Sequence, residues 1–358
     1  MDINKSLIRK ILVLRYRSIG DIILSSPALE ALRLTFPSAR IDMVIDDVFE
    51  DLCQGHPNID YLILHKRDTS GMTWFQKAAM GFKFIAKIRK QKYDLVIDLH
   101  GGPRSAPLAW LSGARYRVGY RLRLRSKLFY NIPIPPDVSP ASHTSDVLLN
   151  AVRAIGGVIP EVKKLYLGYR PEDMEFVTGF LRKFDISEKD RLVMVHPGAR
   201  VDIKRLPAEK MGHLARWMTE ELGVKVVYAG SNADIAEIAG IVSYSGRRGL
   251  IATNLKLGHL AALIASCDLL VGNDSGPMHM ASALGVPTVS FFGPSDPALW
   301  GPLAPNAKVI RNAPLMECQP CDQKNCSHVG AHCMTKIKLG EAKRAIMNIL
   351  THRSAQRV

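Results

Sequence analysis

Short apolar runs alternate with amphipathic stretches along the first hundred positions. Ile11 to Leu14, Ile41 to Ile45, Tyr61 to Leu64 and Leu95 to Leu99 are rich in β-formers, while Ile22 to Leu34 and Trp74 to Arg89 carry apolar residues at helical spacing. Strands separated by helices predict a parallel sheet, because parallel neighbours need a crossover. The rhythm lapses between Leu165 and Asp173 and restarts at Leu192 to Val195, continuing through Val224 to Ala229, Leu250 to Ala252 and Cys267 to Phe292. The pattern predicts an α/β chain of two Rossmann-like domains, 1–168 and 169–358, ending in a helix over Glu341 to Leu350.

The densest local signal is Val271 to Pro302, VGNDSGPMHMASALGVPTVSFFGPSDPALWGP. The apolar run Cys267 to Val271 reads as a buried strand. Gly276 and Pro277 suit the N-cap and first position of a helix, Gly285 suits its end, and Val286 to Phe292 returns as a strand. A helix N-terminus at such a crossover offers amide N–H groups and the positive end of its dipole to an anion, most often a nucleotide phosphate. Asn273, Asp274, Ser275 and His279 crowd this turn, more polar side chains than one helix cap requires. The first loop of each half, RYRSIGD and HPGAR, lacks the G-x-G-x-x-G fingerprint, which disfavours a nicotinamide dehydrogenase. In open α/β sheets ligands bind beyond the carboxyl ends of the strands, so both loops are expected to face a common cleft.

Composition adds a charge asymmetry. The net charge is +15, and residues 1–168 hold 25 Lys and Arg against 15 Asp and Glu. An anionic partner for the first domain follows: nucleic acid, anionic lipid or a phosphorylated substrate. Arg115, Arg117, Arg121, Arg123, Arg125 and Lys127 form the densest basic run, with Arg104 after Gly101 and Gly102. This run suits a solvated edge or a clamp for phosphates and carboxylates. The helix WFQKAAMGFKFIAKIRKQK places Phe75, Ala79, Phe82 and Ile85 on one face, for core packing or for rest on an anionic membrane surface, with core packing favoured. No apolar run is long enough to span a membrane, and the start lacks the unbroken apolar core of a signal peptide, so a cytoplasmic chain is expected. Cys318, Cys321, Cys326 and Cys333 give C-x2-C-x4-C-x6-C, whose first pair is metal-like but whose whole is not a standard zinc spacing; reduced or buried thiols are expected ahead of a zinc site.

Asp21 follows the first strand and its loop. Its residue type fits a cap for the next helix as well as a general base, and the sequence alone leaves the two even. Lys204, in HPGARVDIKRLP, is either a solvated loop lysine or a cation for a leaving diphosphate.

The order D-S-G-P-x-H followed by F-G-P-S-D-P, together with IGDIILSSPAL near the start, closely resembles the motifs of the ADP-heptose:lipopolysaccharide heptosyltransferases, and the resemblance runs from Ile11 to about Ile337. It implies a GT-B type fold of two Rossmann-like domains facing across a cleft, with the last helix packing back on the first domain. It further implies inverting transfer of L-glycero-D-manno-heptose from ADP-heptose to the lipopolysaccharide inner core. Asp21 would be the base, Lys204 and the Gly276 helix terminus would hold departing ADP, and Asp274, Ser275, Gly276 and His279 would contact the donor. Ala199 and Arg200 stand where the family often has small hydroxyl residues at the diphosphate, and Leu206 replaces the tryptophan of its K-x-W-P element. Asn232 and Asp234 fall where an acidic residue often meets the ribose or base. Arg104, Arg121, Arg123 and Arg125 would take the anionic acceptor, at the inner face of the inner membrane. No metal cofactor is called for, because no D-x-D motif stands at a plausible site. The alternatives are another sugar-nucleotide enzyme of this architecture, such as an epimerase, or a nucleic-acid-binding protein; the latter lacks a recognition motif.

Overall fold

The computed structural model describes residues 3–120, 126–134, 142–304, 306–321, 325–328, 330 and 332–356. The chain divides into two compact units, Met1–Gly168 and Tyr169–Val358. In the first, β1 (Lys10–Leu14), β2 (Arg40–Asp46), β3 (Tyr61–His65), β4 (Leu95–Asp98), β5 (Tyr116–Tyr120) and β6 (Ile132–Ile134) form a parallel sheet in the order β3-β2-β1-β4-β5-β6. In the second, β7 (Leu192–His196), β8 (Lys225–Gly230), β9 (Leu250–Thr253), β10 (Leu269–Asn273), β11 (Thr288–Phe291) and β12 (Ala307–Ile310) follow the order β12-β11-β10-β7-β8-β9, again parallel. The order reverses between β1 and β4 in one sheet and between β7 and β10 in the other. Flanking crossovers leave a crevice at such a switch point, where doubly wound sheets take their ligands.

The central strands are buried on both faces, which is why they read as continuous apolar runs. Ile11, Leu12, Val13 and Leu14 are fully buried, as are Val193, Met194 and Val195. Strands β5, β6 and β12 are absent from the apolar pattern. Strand β5 (YRVGY) is half polar, and the side chain of Arg117 is spent on structure, donating to the carbonyls of Phe129 and Ala114, each at 2.8 Å.

The single helix expected over Ile22 to Leu34 is two, Ile19–Ile23 and Ser26–Thr35. Pro27 has no N–H to continue the ladder, and the Ser26 hydroxyl takes the Ile23 carbonyl instead, at 2.7 Å. The helix Gly276–Ala283 has Ser275, not Gly276, at its N-cap, and it ends before Gly285, whose φ of 70° is the left-handed conformation glycine supplies. The final helix, Leu339–Gln356, buries Ala342, Ile346 and Leu350 in the second unit's own core. Among the described residues no helix is long and apolar enough to cross a membrane.

Candidate functional site

In the second unit the loops after β7 and β10 meet at the switch point. Asp274, directly after β10, is 8% exposed and accepts from the Lys204 ammonium at 2.6 Å and from the Ser295 hydroxyl at 2.5 Å. An ammonium has three donors, so Lys204 holds Asp274 and keeps others for a ligand. Asn273 ties the two loops together: its carbonyl accepts from the Leu206 amide at 3.0 Å and its amide donates to the Pro197 carbonyl at 2.6 Å. Next comes the helix Gly276–Ala283, whose N-cap Ser275 makes no side-chain cap bond. The Met278 amide bonds the Ser275 carbonyl at 3.2 Å, and the positive end of the helix dipole lies at the turn that also carries Asp274, the partner of Lys204.

The approach between these loops is close. A Cβ on Gly272 would come within 2.7 Å of the His196 carbonyl, so glycine is what lets β10 lie against β7 there. His196, at the end of β7, lies 3.4 Å from the Ser275 hydroxyl. Burial pushes its pKa down to about 4, against a partial opposing pull from Asp234. Ala199 is half-buried and Arg200 exposed, on the same loop. Leu206, where the family pattern has tryptophan, is fully buried in the second unit's core, so it supplies packing and not an exposed aromatic face. His279 is also buried, at 4% exposure. Asp234 closes its own helix start, accepting from the Ser231 amide at 2.9 Å and hydroxyl at 2.7 Å, and pairs with Arg205 at 3.2 Å. Burial would raise its pKa, but Ser231, His196 and Arg205 together hold the carboxyl below its usual range. Asn232 is exposed beside it.

In the first unit the loops after β1 and β4 emerge side by side. Asp21 lies in the first turn of Ile19–Ile23, three residues after the N-cap Ser18. One carboxylate oxygen pairs with the guanidinium of buried Arg15; the other accepts from the Ser18 amide at 3.0 Å and the Ser18 hydroxyl at 2.9 Å. Cap and candidate base are thus the same side chain. A carboxylate has roughly four acceptor sites; three are occupied, and the side chain is 24% exposed. One acceptor site is left over.

The β4 loop is shaped by buried Asp98, which accepts from the His100 and Gly101 amides at 2.8 and 2.9 Å, with Gly101 at a φ of 63°. His100 lies edge-on to Tyr16, with 5.5 Å between ring centroids, and burial and the Arg15 guanidinium push its pKa below the usual imidazole range. His65, at the end of β3, packs on the same Tyr16 ring at 5.2 Å and bonds buried Asp46 at 2.9 Å. Arg104 is exposed just beyond this loop. Arg121, Arg123 and Arg125 lie outside the described residues.

Sequence reasoning passed over His65, His100, His196, Arg15 and Ser295. A signal was present for the histidines: LILHK, VIDLHGG and VMVHPG each put a histidine at or just past the end of an apolar run, hence at the carboxyl edge of a strand. None of the six cysteines forms a disulfide; Cys53, Cys267 and Cys333 are buried, Cys318, Cys321 and Cys326 half-buried. Among the described residues no three His, Cys, Asp or Glu side chains gather into a metal-binding group.

The buried histidines set a pH dependence. His56, in the first unit, is also lowered by burial to about 4. In the unfolded chain both protonate near 6.5, so between 6.5 and 4 the unfolded chain binds more protons. Stability is full above 6.5 and falls as pH drops toward 4, by roughly 2–3 kcal/mol for each histidine. Thermal melts from pH 7.5 to 4.5 are expected to show this decline in both units, and a flat profile would contradict the burial of these rings as neutral groups.

Residues 81–332 match the sequence profile of glycosyltransferase family 9 (heptosyltransferase). Lipopolysaccharide heptosyltransferase 2 of Escherichia coli K12 is 26% identical over 310 residues, which cover 84% of this chain and 88% of that protein. The crystal structure of a family 9 glycosyl transferase from Veillonella parvula superposes with a TM-score of 0.83 at 27% identity, covering 96% of this chain and 97% of that one. The E. coli heptosyltransferase WaaC, solved with ADP, gives a TM-score of 0.72 at 18% identity over 95% and 99% of the two chains.

Proposed function

The chain belongs to glycosyltransferase family 9, the heptosyltransferases, and from that premise we propose that it moves L-glycero-D-manno-heptose from ADP-heptose to an anionic lipopolysaccharide inner-core acceptor, with inversion. Its two α/β units are of the GT-B type. The observation that carries the donor assignment is the β7–β10 switch point, where the Lys204–Asp274 pair stands beside a helix N-terminus without a side-chain cap. A diphosphate is stabilised by a cation and by the positive end of a helix dipole, the roles proposed here for Lys204 and the Gly276 helix start. WaaC, of similar fold, was solved with ADP, which favours the same nucleotide here.

The second switch point serves the acceptor. Asp21 accepts the proton of the attacking hydroxyl through its remaining site while Arg15 and Ser18 hold the carboxylate in place. The hydroxyl oxygen bonds to the anomeric carbon as the bond to the diphosphate oxygen breaks, and ADP leaves with its charge met by Lys204 and the Gly276 amide region. Arg104, with Arg121, Arg123 and Arg125, clamps the acceptor's phosphates or carboxylates. Ala199 and Arg200 border the diphosphate, and His279 supports the turn from within.

Gly276→Val tests the donor assignment. A branched side chain at the helix start blocks close approach of a diphosphate to the backbone, so a folded variant is expected to lose ADP binding by at least about tenfold in calorimetry. Parental ADP affinity in that variant would move the donor elsewhere.

A further inference from the structure

The helix Trp74–Lys90 has two apolar faces, and the fold uses one. Ile88 is buried in the first unit's core and Phe84 and Ile85 pack against it. The face expected to pack, Phe75, Ala79, Phe82 and Ile85, is divided: Ile85 meets the core while Phe75, Ala79 and Phe82 stand in solvent. Phe75, Ala79, Phe82 and Ala86 recur at helical spacing along one stripe, all exposed, with Phe75 at 77% and Phe82 at 76%. Trp74, 73% exposed, lies edge-on to Phe75 with ring centroids 5.1 Å apart. Exposed aromatic clusters of this kind on a soluble domain mark a docking surface.

The charge around the stripe identifies the partner. The helix carries Lys77, Lys83, Lys87, Arg89 and Lys90 and no Asp or Glu. Lys83 and Lys90 border the stripe on one side and Arg89 on the other, by helical spacing. Lysine is depleted at protein–protein interfaces, whereas aromatic rings flanked by lysines compose a helix lying in the headgroup region of an anionic bilayer. Long lysine stems let the ammonium reach phosphates while the rings sit deeper.

We propose that this face of the Trp74–Lys90 helix docks the protein on an anionic lipid bilayer, with Trp74, Phe75 and Phe82 inserted at the headgroup boundary and Lys83, Arg89 and Lys90 against lipid phosphates. The docking holds whichever sugar the chain transfers.

The test uses the full-length protein and vesicles of phosphatidylcholine with and without phosphatidylglycerol. The parent is expected to cosediment with the phosphatidylglycerol vesicles alone, with a blue shift of tryptophan emission that Trp74→Phe removes. Phe75→Ser/Phe82→Ser leaves every charge and the core face intact, so it is expected to keep the parental melting temperature and lose at least about tenfold in vesicle partitioning. This variant separates the helix from the general attraction of a chain of net charge +15. Parental partitioning in the double variant, or no binding by the parent, would overturn the assignment. So would a parental dimer in sedimentation equilibrium that the same two substitutions dissolve, since the stripe would then belong to a protein contact.

Discussion

Asp21→Asn is expected to lower kcat at least about a hundredfold, a loss of roughly 2.7 kcal/mol in transition-state stabilisation, while the protein remains folded. The structural cost is smaller. An asparagine oxygen still accepts from the Ser18 amide, and Arg15 keeps its bonds to the Leu99 carbonyl and the Asp21 main-chain carbonyl. What Asn cannot do is balance the buried guanidinium or take a proton at neutral pH, so the stability loss should be about 1–2 kcal/mol. Ser18→Ala supplies the control, because it removes one hydrogen bond to the carboxylate without touching its charge. It is expected to cost similar stability and less than about tenfold in kcat. Turnover by Asp21→Asn at near-parental rate would reduce Asp21 to the cap its hydrogen bonds also describe.

Lys204→Met is expected to act on stability and on chemistry, and a second substitution separates the two. Removing the ammonium leaves Asp274, 8% exposed, with the Ser295 hydroxyl as its remaining side-chain partner named above. An uncompensated carboxylate there costs about 2 kcal/mol, less than in a fully buried pair because Lys204 is 27% exposed. Loss of the cation beside the leaving diphosphate should lower kcat/KM by roughly 10²–10³-fold. In Lys204→Met/Asp274→Asn the unpaired charge is gone, so the melting temperature should recover while activity does not. If activity recovers along with stability, Lys204 is a structural partner of Asp274 and nothing more.

The parallel sheets were legible because their central strands are buried on both faces and leave unbroken apolar runs, as at Ile11 to Leu14 and Leu192 to Val195. The edge strands β3 and β9 were legible too, from Tyr61 to Leu64 and Leu250 to Ala252, whereas β5, β6 and β12 were not. Strand β5 carries Arg117 within it, whose guanidinium is satisfied by the main-chain carbonyls of Phe129 and Ala114, partners that no local pattern reveals. The polar turn at Asp274 to Gly276 was legible from its crowding of caps and glycine. Its partner Ser295, 21 residues on, was not, because the contact exists only once β11 lies beside β10. The two readings of Asp21, cap or base, could not be parted from sequence because one carboxylate has the valence for both. For Trp74–Lys90 the helix was legible and so was the packing of Ile85, but not the exposure of Phe75, Ala79 and Phe82, because apolar spacing alone does not say which neighbour covers a face.

The most direct test of heptose transfer is to incubate the protein with ADP-heptose and a series of truncated lipopolysaccharides, following product by mass spectrometry and the released nucleotide in parallel. The expected result is one acceptor that gains the mass of a single heptose, with ADP formed in equal amount and the product dependent on Asp21 and Lys204. Absence of product with every acceptor, together with transfer from a different sugar nucleotide or isomerisation of the donor without an acceptor, would contradict it.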